Sequence, residues 1–140
     1  MDDVEVWEPA SGAWRSLPPL DAVNVYRSRS SGSLLTDSRF AVFGGHIIGV
    51  EDEGVTWSCK ALVLDNGAER WESLPRMLET RADFACEAVG GCVIVAGGAS
   101  NDVDSGVLSS TEVYEEATGV WWQLPCNLPQ AMVDMGSALL

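Results

Sequence analysis

Three tryptophan-centred stretches recur along the chain, and their spacing restricts its fold more than any other feature. The first runs Val6-Trp7-Glu8, Gly12-Ala13-Trp14, Leu17-Pro18. The second runs Val63-Leu64-Asp65, Trp71, Leu74-Pro75, and the third Val113-Tyr114-Glu115, Gly119-Val120-Trp121, Leu124-Pro125. In each, a large apolar residue stands seven positions before the Trp, an acid follows it, and Leu-Pro begins three positions after the Trp. The Trp-to-Trp spacings are 57 and 50 residues, a period that belongs to repeat architectures rather than to one irregular core.

A second block precedes the latter two stretches. Phe40-Ala41-Val42-Phe43-Gly44-Gly45 matches Val93-Ile94-Val95-Ala96-Gly97-Gly98 at an offset of 53. Each follows a turn signal (Asp37-Ser38 and Gly90-Gly91) and an earlier apolar segment at 31–35 or 84–88. One unit therefore reads as four short strands: segment, hairpin, β-rich run ending in Gly-Gly, long polar loop, strand, turn, Trp strand, Leu-Pro. Helical periodicity is absent, because Gly, Pro and β-branched residues interrupt every candidate window. A Gly pair closing a strand removes two side chains and permits positive φ, so backbones can approach there. Trp14, Trp71 and Trp121 offer flat surfaces that can pack one sheet on the next. The prolines end the fourth strand, where a missing N–H does least harm.

This pattern resembles the kelch repeat, and the resemblance covers nearly the whole chain. The best-matched copy spans 81–125, with Arg81 at its opening, then Gly97-Gly98, Tyr114 and Trp121; Gly44-Gly45 and Trp71 mark the copy before it, Trp14 the partial one before that. Three departures stand out: Leu64 replaces the usual aromatic, Glu69 the turn glycine, and Arg27 and Arg29 straddle the arginine position. The resemblance implies an all-β fold in which each unit is one blade of a β-propeller. The expectation is a partial kelch-type propeller of two complete four-stranded blades plus partial blades at each end. Residues 1–18 would be the second half of a blade, 27–75 and 81–125 whole blades, and 132–140 the start of another, with a strand over 136–140. Propellers take about 4–8 blades of about 50 residues, so 140 residues cannot close a ring. The expectation is therefore a fragment of a longer kelch protein, with a self-assembling half-ring as the alternative; further blades or self-association would complete the ring.

Charge narrows the partners. Eight Lys plus Arg against 21 Asp plus Glu give a net charge of −13, and beyond Arg81 there are eight acids and no base. Such a surface repels phosphate backbones and anionic lipid, so neither nucleic acid nor membrane is expected as a partner, while basic proteins would be steered toward it. Solubility alone is the simpler account of the excess. No apolar run approaches the roughly 18 residues of a membrane span, and the acidic start Met1-Asp2-Asp3-Val4-Glu5 lacks a signal-peptide pattern. Cys59, Cys86, Cys92 and Cys126 form no CxxC, and the one histidine, His46, is too few for a Cys/His zinc site. A two-residue turn at Gly90-Gly91 would pair Cys86 with Val95 and Cys92 with Val89, on opposite faces of a hairpin. Reduced, buried thiols follow, which fits a cytoplasmic or nuclear location.

Kelch resemblance implies protein-binding modules above all, among them substrate receptors of ubiquitin ligases joined to F-box or BTB segments; fold by itself does not select among these. Partners in the family dock on loops after the second and fourth strands, here 19–30, 46–56, 76–82 and 99–109. These hold Arg27, Arg29, His46, Glu51, Asp52, Glu53, Arg76, Arg81, Asn101, Asp102 and Asp104, read together as a mixed-charge docking surface and singly as solvated loop residues. No catalytic residue, cofactor or metal ligand is assigned. The alternative, a piece of a sugar- or metal-dependent kelch-type enzyme, would need convergent His, Tyr and carboxylates, and one His with two Tyr argues against it. The acids at 51–53 read as a solvated run rather than a cation site. Asp104-Ser105-Gly106-Val107-Leu108-Ser109 matches a short phosphodegron pattern, D-S-G-x-x-S, which would gain strong negative charge if both serines were phosphorylated. Trp57 and Trp122 lie outside the repeat and are expected to pack between blades, with one of them exposed as a binding hot spot as the alternative.

Overall fold

The computed structural model describes residues 4–20, 25–49, 55–65, 67 and 70–140. Among them there is no helix; the fold is all-β, in four antiparallel sheets arranged as a partial kelch-type propeller. Strands β1 (Val4–Glu8) and β2 (Ala13–Leu17) form a hairpin. Strands β4 (Ser31–Leu34), β5 (Phe40–Phe43), β8 (Ala61–Leu64) and β9 (Trp71–Leu74) form a four-stranded meander in that order. So do β10 (Ala85–Val89), β11 (Cys92–Ala96), β12 (Thr111–Glu115) and β13 (Val120–Gln123). The inner strands β4 and β10 lie next to each other. The Gly90-Gly91 turn produces the register its length dictates, with Cys86 opposite Val95 and Val89 opposite Cys92.

The long polar connections are more ordered than their composition implies. Strands β3 (Val25–Ser28), β6 (His46–Gly49) and β7 (Val55–Trp57) form a separate three-stranded sheet, so the segments read as the loops 19–30 and 46–56 are partly strand. The β-branched and aromatic residues Ile47, Ile48, Val55, Thr56 and Trp57 account for this, because they pair well across strands.

The core lies between sheets rather than within one. Leu35, Ala41, Phe43, Ala61, Val63 and Met77 on one side meet Phe84, Cys86, Val93, Val95, Tyr114 and Trp121 on the other. Trp121 spans the junction: its ring is 5.7 Å from Phe43, edge-on, and 5.2 Å from Tyr114. Its indole N–H donates to the carbonyl of Pro75 at 2.8 Å, the Leu-Pro corner of the preceding blade. Trp71 repeats this bond one unit earlier, donating to Pro18 at 2.8 Å. The conjunction of Trp and Leu-Pro in every repeat thus has one cause: each indole pins its blade to the corner of the one before. Trp14 departs from the expected packing. It is 65% exposed, with only the tilted Trp7 ring 5.6 Å away, because no described residue supplies the corner that covers it. Trp122, likewise expected to pack, is 44% exposed.

Arg81 closes the interior at the opposite side of each blade from the turns. Its guanidinium is fully buried. Nε donates to Glu112 Oε2 at 2.8 Å, one Nη to the carbonyls of Gly97 (2.8 Å) and Ser110 (3.0 Å), the other to Ser110 Oγ and Glu79, both at 2.8 Å. Glu112, equally buried, in turn accepts from the backbone N–H groups of Leu78 (2.5 Å) and Glu79 (3.3 Å). In the preceding blade the structure resolves which arginine is equivalent: Arg27, not Arg29, reaches the Gly44 carbonyl at 2.6 Å.

The Gly-Gly pairs let this region close up. Gly98 has φ +94°, and a Cβ there would stand 2.6 Å from the Ala82 carbonyl oxygen. Its N–H donates to Met132 O at 2.7 Å, just as Gly45 N–H donates to Arg81 O at 2.7 Å. Three non-glycine residues at the same step of the repeat, Arg29, Asp83 and Asp134, share a positive φ of 54–56° and are linked in series: Asp83 N to Arg29 O (3.1 Å), Asp134 N to Asp83 O (2.9 Å). Residues 128–135 therefore repeat the turn that leads into an inner strand. The strand expected over 136–140 does not form, because a strand needs a hydrogen-bonded neighbour and no described residue pairs with that segment.

Two measurements probe these contacts. Trp121→Phe keeps the ring and removes the bond to Pro75, and should lower stability in urea by about 1 kcal/mol, whereas Trp14→Phe should stay within about 0.5 kcal/mol of the parent. Arg81→Met strands the Glu112 carboxylate in the interior; a loss of about 3 to 5 kcal/mol, seen as a collapse of the thermal transition, is expected.

Candidate partner-binding face

One end of the blades gathers the candidate residues. The antiparallel register brings the start of β10, the end of β11, the start of β12 and the end of β13 together, and with them the connections 76–84 and 97–110. The 99–109 loop is held by a Gly106 N–H to Val103 O bond, by Ser100 N–H to Gly106 O, and by bridges from Ala99 to Ala82 and Val107. Thr80 fastens its tip: its hydroxyl lies 2.7 Å from Ser100 Oγ and 2.8 Å from Asp102 Oδ2. Asn101, Asp102, Asp104 and Ser105 are left facing solvent.

The predicted residues divide into three groups. Asn101, Asp102, Asp104, Arg29 and Arg76 stand exposed at this end. Arg29 pairs with Asp83 at 2.8 Å, bridging consecutive units. Arg27 is half-buried against Gly44, and Arg81 is fully buried. For Arg81 this corrects the sequence expectation: five acceptors, on Glu112, Gly97, Ser110 (two) and Glu79, take its donors, which leaves none for a partner. Glu51, Asp52 and Glu53 lie outside the described residues. Thr80, Glu79 and Glu112 were missed by sequence reading. The spacing of Glu112 two residues before Tyr114 carries no signal without knowledge that Arg81 points at it.

His46 sits at the first position of β6, opposite Ser28 and Trp57, with its ring 4.2 Å from the Trp57 ring. Its Nε2 is buried and has no hydrogen-bond partner. Desolvation, then the Arg29 guanidinium, hold its pKa below the usual histidine value, with Asp83 opposing them. All four cysteines are free; Cys86 is buried, and burial, then Glu87, push its thiol up to about 12. Cys92, expected to be buried like Cys86, is half-buried, and Cys126 is exposed. In the 104–109 motif the Ser105 hydroxyl donates to Val107 O at 2.9 Å, so the first serine caps its own turn, while Ser109 is half-buried and its carbonyl accepts from Leu128. Among the described residues no three His, Cys, Asp or Glu side chains converge in a metal-binding arrangement.

The depressed His46 pKa has a signed consequence. The unfolded chain takes up a proton near 6.5 while the folded one resists it, so stability is full above that pH and declines as pH falls through 6.5 toward the lower folded value. Replacing His46 with Phe should flatten the acid-side loss that sets in as pH falls through about 6.5, read from urea midpoints.

No family model matches the chain. Two curated relatives from Arabidopsis thaliana are similar to it. The F-box/kelch-repeat protein SKIP30 is 27% identical over 126 residues, covering 86% of this chain and 35% of that protein. The F-box/kelch-repeat protein At1g16250 is 26% identical over 133 residues, covering 91% of this chain and 34% of that protein. The chain spans about a third of the length of these relatives, and the similarity falls on the same repeats that form its blades, which supports a kelch-type protein-interaction module.

Proposed function

We propose that this chain is the docking part of a kelch-type protein-interaction propeller, and that in its full setting it recruits substrates to a ubiquitin ligase. The observation that carries the reading is the convergence of the 76–84 and 97–110 connections at one end of the blades, where a mixed set of charges (Arg29, Arg76, Asp102, Asp104) faces solvent above the buried Arg81–Glu112 pair. Rigid blades presenting variable loops suit recognition of proteins. The F-box in the names of both relatives supports the ligase role, since that segment couples a recognition module to the ubiquitin machinery. Four free thiols support a reducing compartment, cytoplasmic or nuclear. The basic partners inferred from the net charge would meet Asp102 and Asp104 first.

Ring completion belongs to the same proposal. Trp71 and Trp121 each bond a preceding Leu-Pro corner, and the exposed Trp14 presents the same half of that junction uncovered. Further blades, or a second molecule, would cover it.

Photocrosslinking tests the docking end. In cells carrying the full-length protein, a photoreactive residue at Asn101 should capture partner proteins, and one at Ala117, in the turn at the other end of the same blade, should capture few. Equal capture from both positions would overturn the reading. Captured proteins should also accumulate when the protein is depleted; unchanged half-lives would remove the ligase role.

A further inference from the structure

A cleft that shares Arg76 with the docking end lies on the side of the fold. Between the Pro18-Pro19 exit of the β1–β2 hairpin and the β8–β9 pair opens a cleft of about 500 Å³. Trp71 forms its wall, held by the bond to Pro18, and Lys60, Arg70 and Arg76 surround it. Three of the eight basic residues of a chain with net charge −13 thus meet in one cleft, and no Asp or Glu is among its described lining residues. Lys60 and Arg76 are exposed and have no ion pair among the described residues; Arg70 reaches only Glu72, at 3.2 Å.

The neighbouring junction differs from this one at two side chains. The register that matches Trp71 with Trp121 places Leu62 where Glu112 stands and Lys60 where Ser110 stands. At the later junction, the Glu112 carboxylate grips the backbone N–H groups of Leu78 and Glu79, and Met77 is buried beneath. At the earlier one, Leu62 offers no acceptor, and an ammonium replaces a hydroxyl. The exchange removes the negative charge that closes the junction and leaves positive charge in its place.

Resting on the reading of the chain as a protein-docking module, we propose that this cleft binds an extended acidic segment of a partner protein. The cleft runs along β9, the last strand of its sheet, with Arg70 before the strand and Arg76 beside Lys60 after it. Six residues of extended chain separate the two ends, about 20 Å. A segment with an acid at each end and apolar or hydroxyl residues between would lay its middle on Trp71 and its carboxylates on the cations. Nucleic acid fits less well, because beyond three cations a polyanion meets the field of a strongly acidic protein.

Fluorescence anisotropy with the full chain and a labelled peptide Asp-Glu-Leu-Thr-Val-Ser-Glu tests the proposal. The peptide should bind, weaken as salt rises, and lose on the order of tenfold in affinity with Lys60→Glu or Arg76→Glu, while Arg15→Glu, an equal charge change outside the cleft, should cost less than about twofold. Equal loss from Arg15→Glu would reduce the effect to net charge and overturn the proposal. Full competition by inorganic phosphate at matched ionic strength, or tighter binding of a single-stranded oligonucleotide, would do the same. No peptide binding together with intact crosslinking from Asn101 would reject the cleft and leave the docking reading standing; loss of both would reject both.

Discussion

Arg81 sits where three segments of the fold meet. The strands of a blade hold each other through backbone bonds, and the connection leaving one blade, the Gly-Gly end of β11 and the run into β12 touch through a few more, among them the Ala82–Ala99 bridge and Gly97 N–H to Ser110 O. One guanidinium reaches all three, through Gly97 O, Ser110 O and Oγ, and Glu112. Glu112 carries the contact on to the N–H groups of Leu78 and Glu79. A planar fork of five donors suits this geometry, and a lysine would leave carbonyls unpaired. Such a buried ion pair adds little net stability over an apolar substitute of equal volume. Its contribution is to hold the connection in one place relative to the loop 99–109, which Thr80 then fastens from the adjoining position.

The same position in the preceding junction shows what that clamp does by its absence. Leu62 in place of Glu112 accepts nothing, Lys60 stands in place of Ser110, and a charged cleft remains. Arg27 donates to the Gly44 carbonyl and, at 3.5 Å, to Ser58 Oγ. The two blades share the same four-stranded ladder, and their junctions differ at the Glu112/Leu62 and Ser110/Lys60 positions. Repeat folds gain varied surfaces in this way, since the ladder tolerates substitutions that the junction does not.

Much of the architecture was legible because it follows from local rules. Gly90-Gly91 dictated the β10–β11 register, and the seven-residue step from Leu64 or Tyr114 to its Trp placed the paired strands β8–β9 and β12–β13. The role of Leu-Pro was half legible: the proline was readable as a strand end, but its carbonyl as the acceptor of the next indole was not, since that bond crosses 46 or 53 residues. The sheet of β3, β6 and β7 was hidden by the glycines and acids around its short apolar runs. Arg81 looked like a docking residue because arginine in a loop is usually solvated; only the partner acid 31 residues away buries it.

Exposure of Trp14 and order in residues 128–135 are two sides of one periodicity. Asp134 adopts the φ of Asp83 and Arg29, and Met132 O meets Gly98 as Arg81 O meets Gly45. Met132, at the arginine position, cannot donate, so the step of the repeat that builds the clamp is lost while the backbone turn persists. The turn must then depend on the backbone ladder and on close packing at the Gly-Gly pairs rather than on the ion pair. The ion pair is an addition to that turn, present where a connection has to be held still and dispensable where it does not.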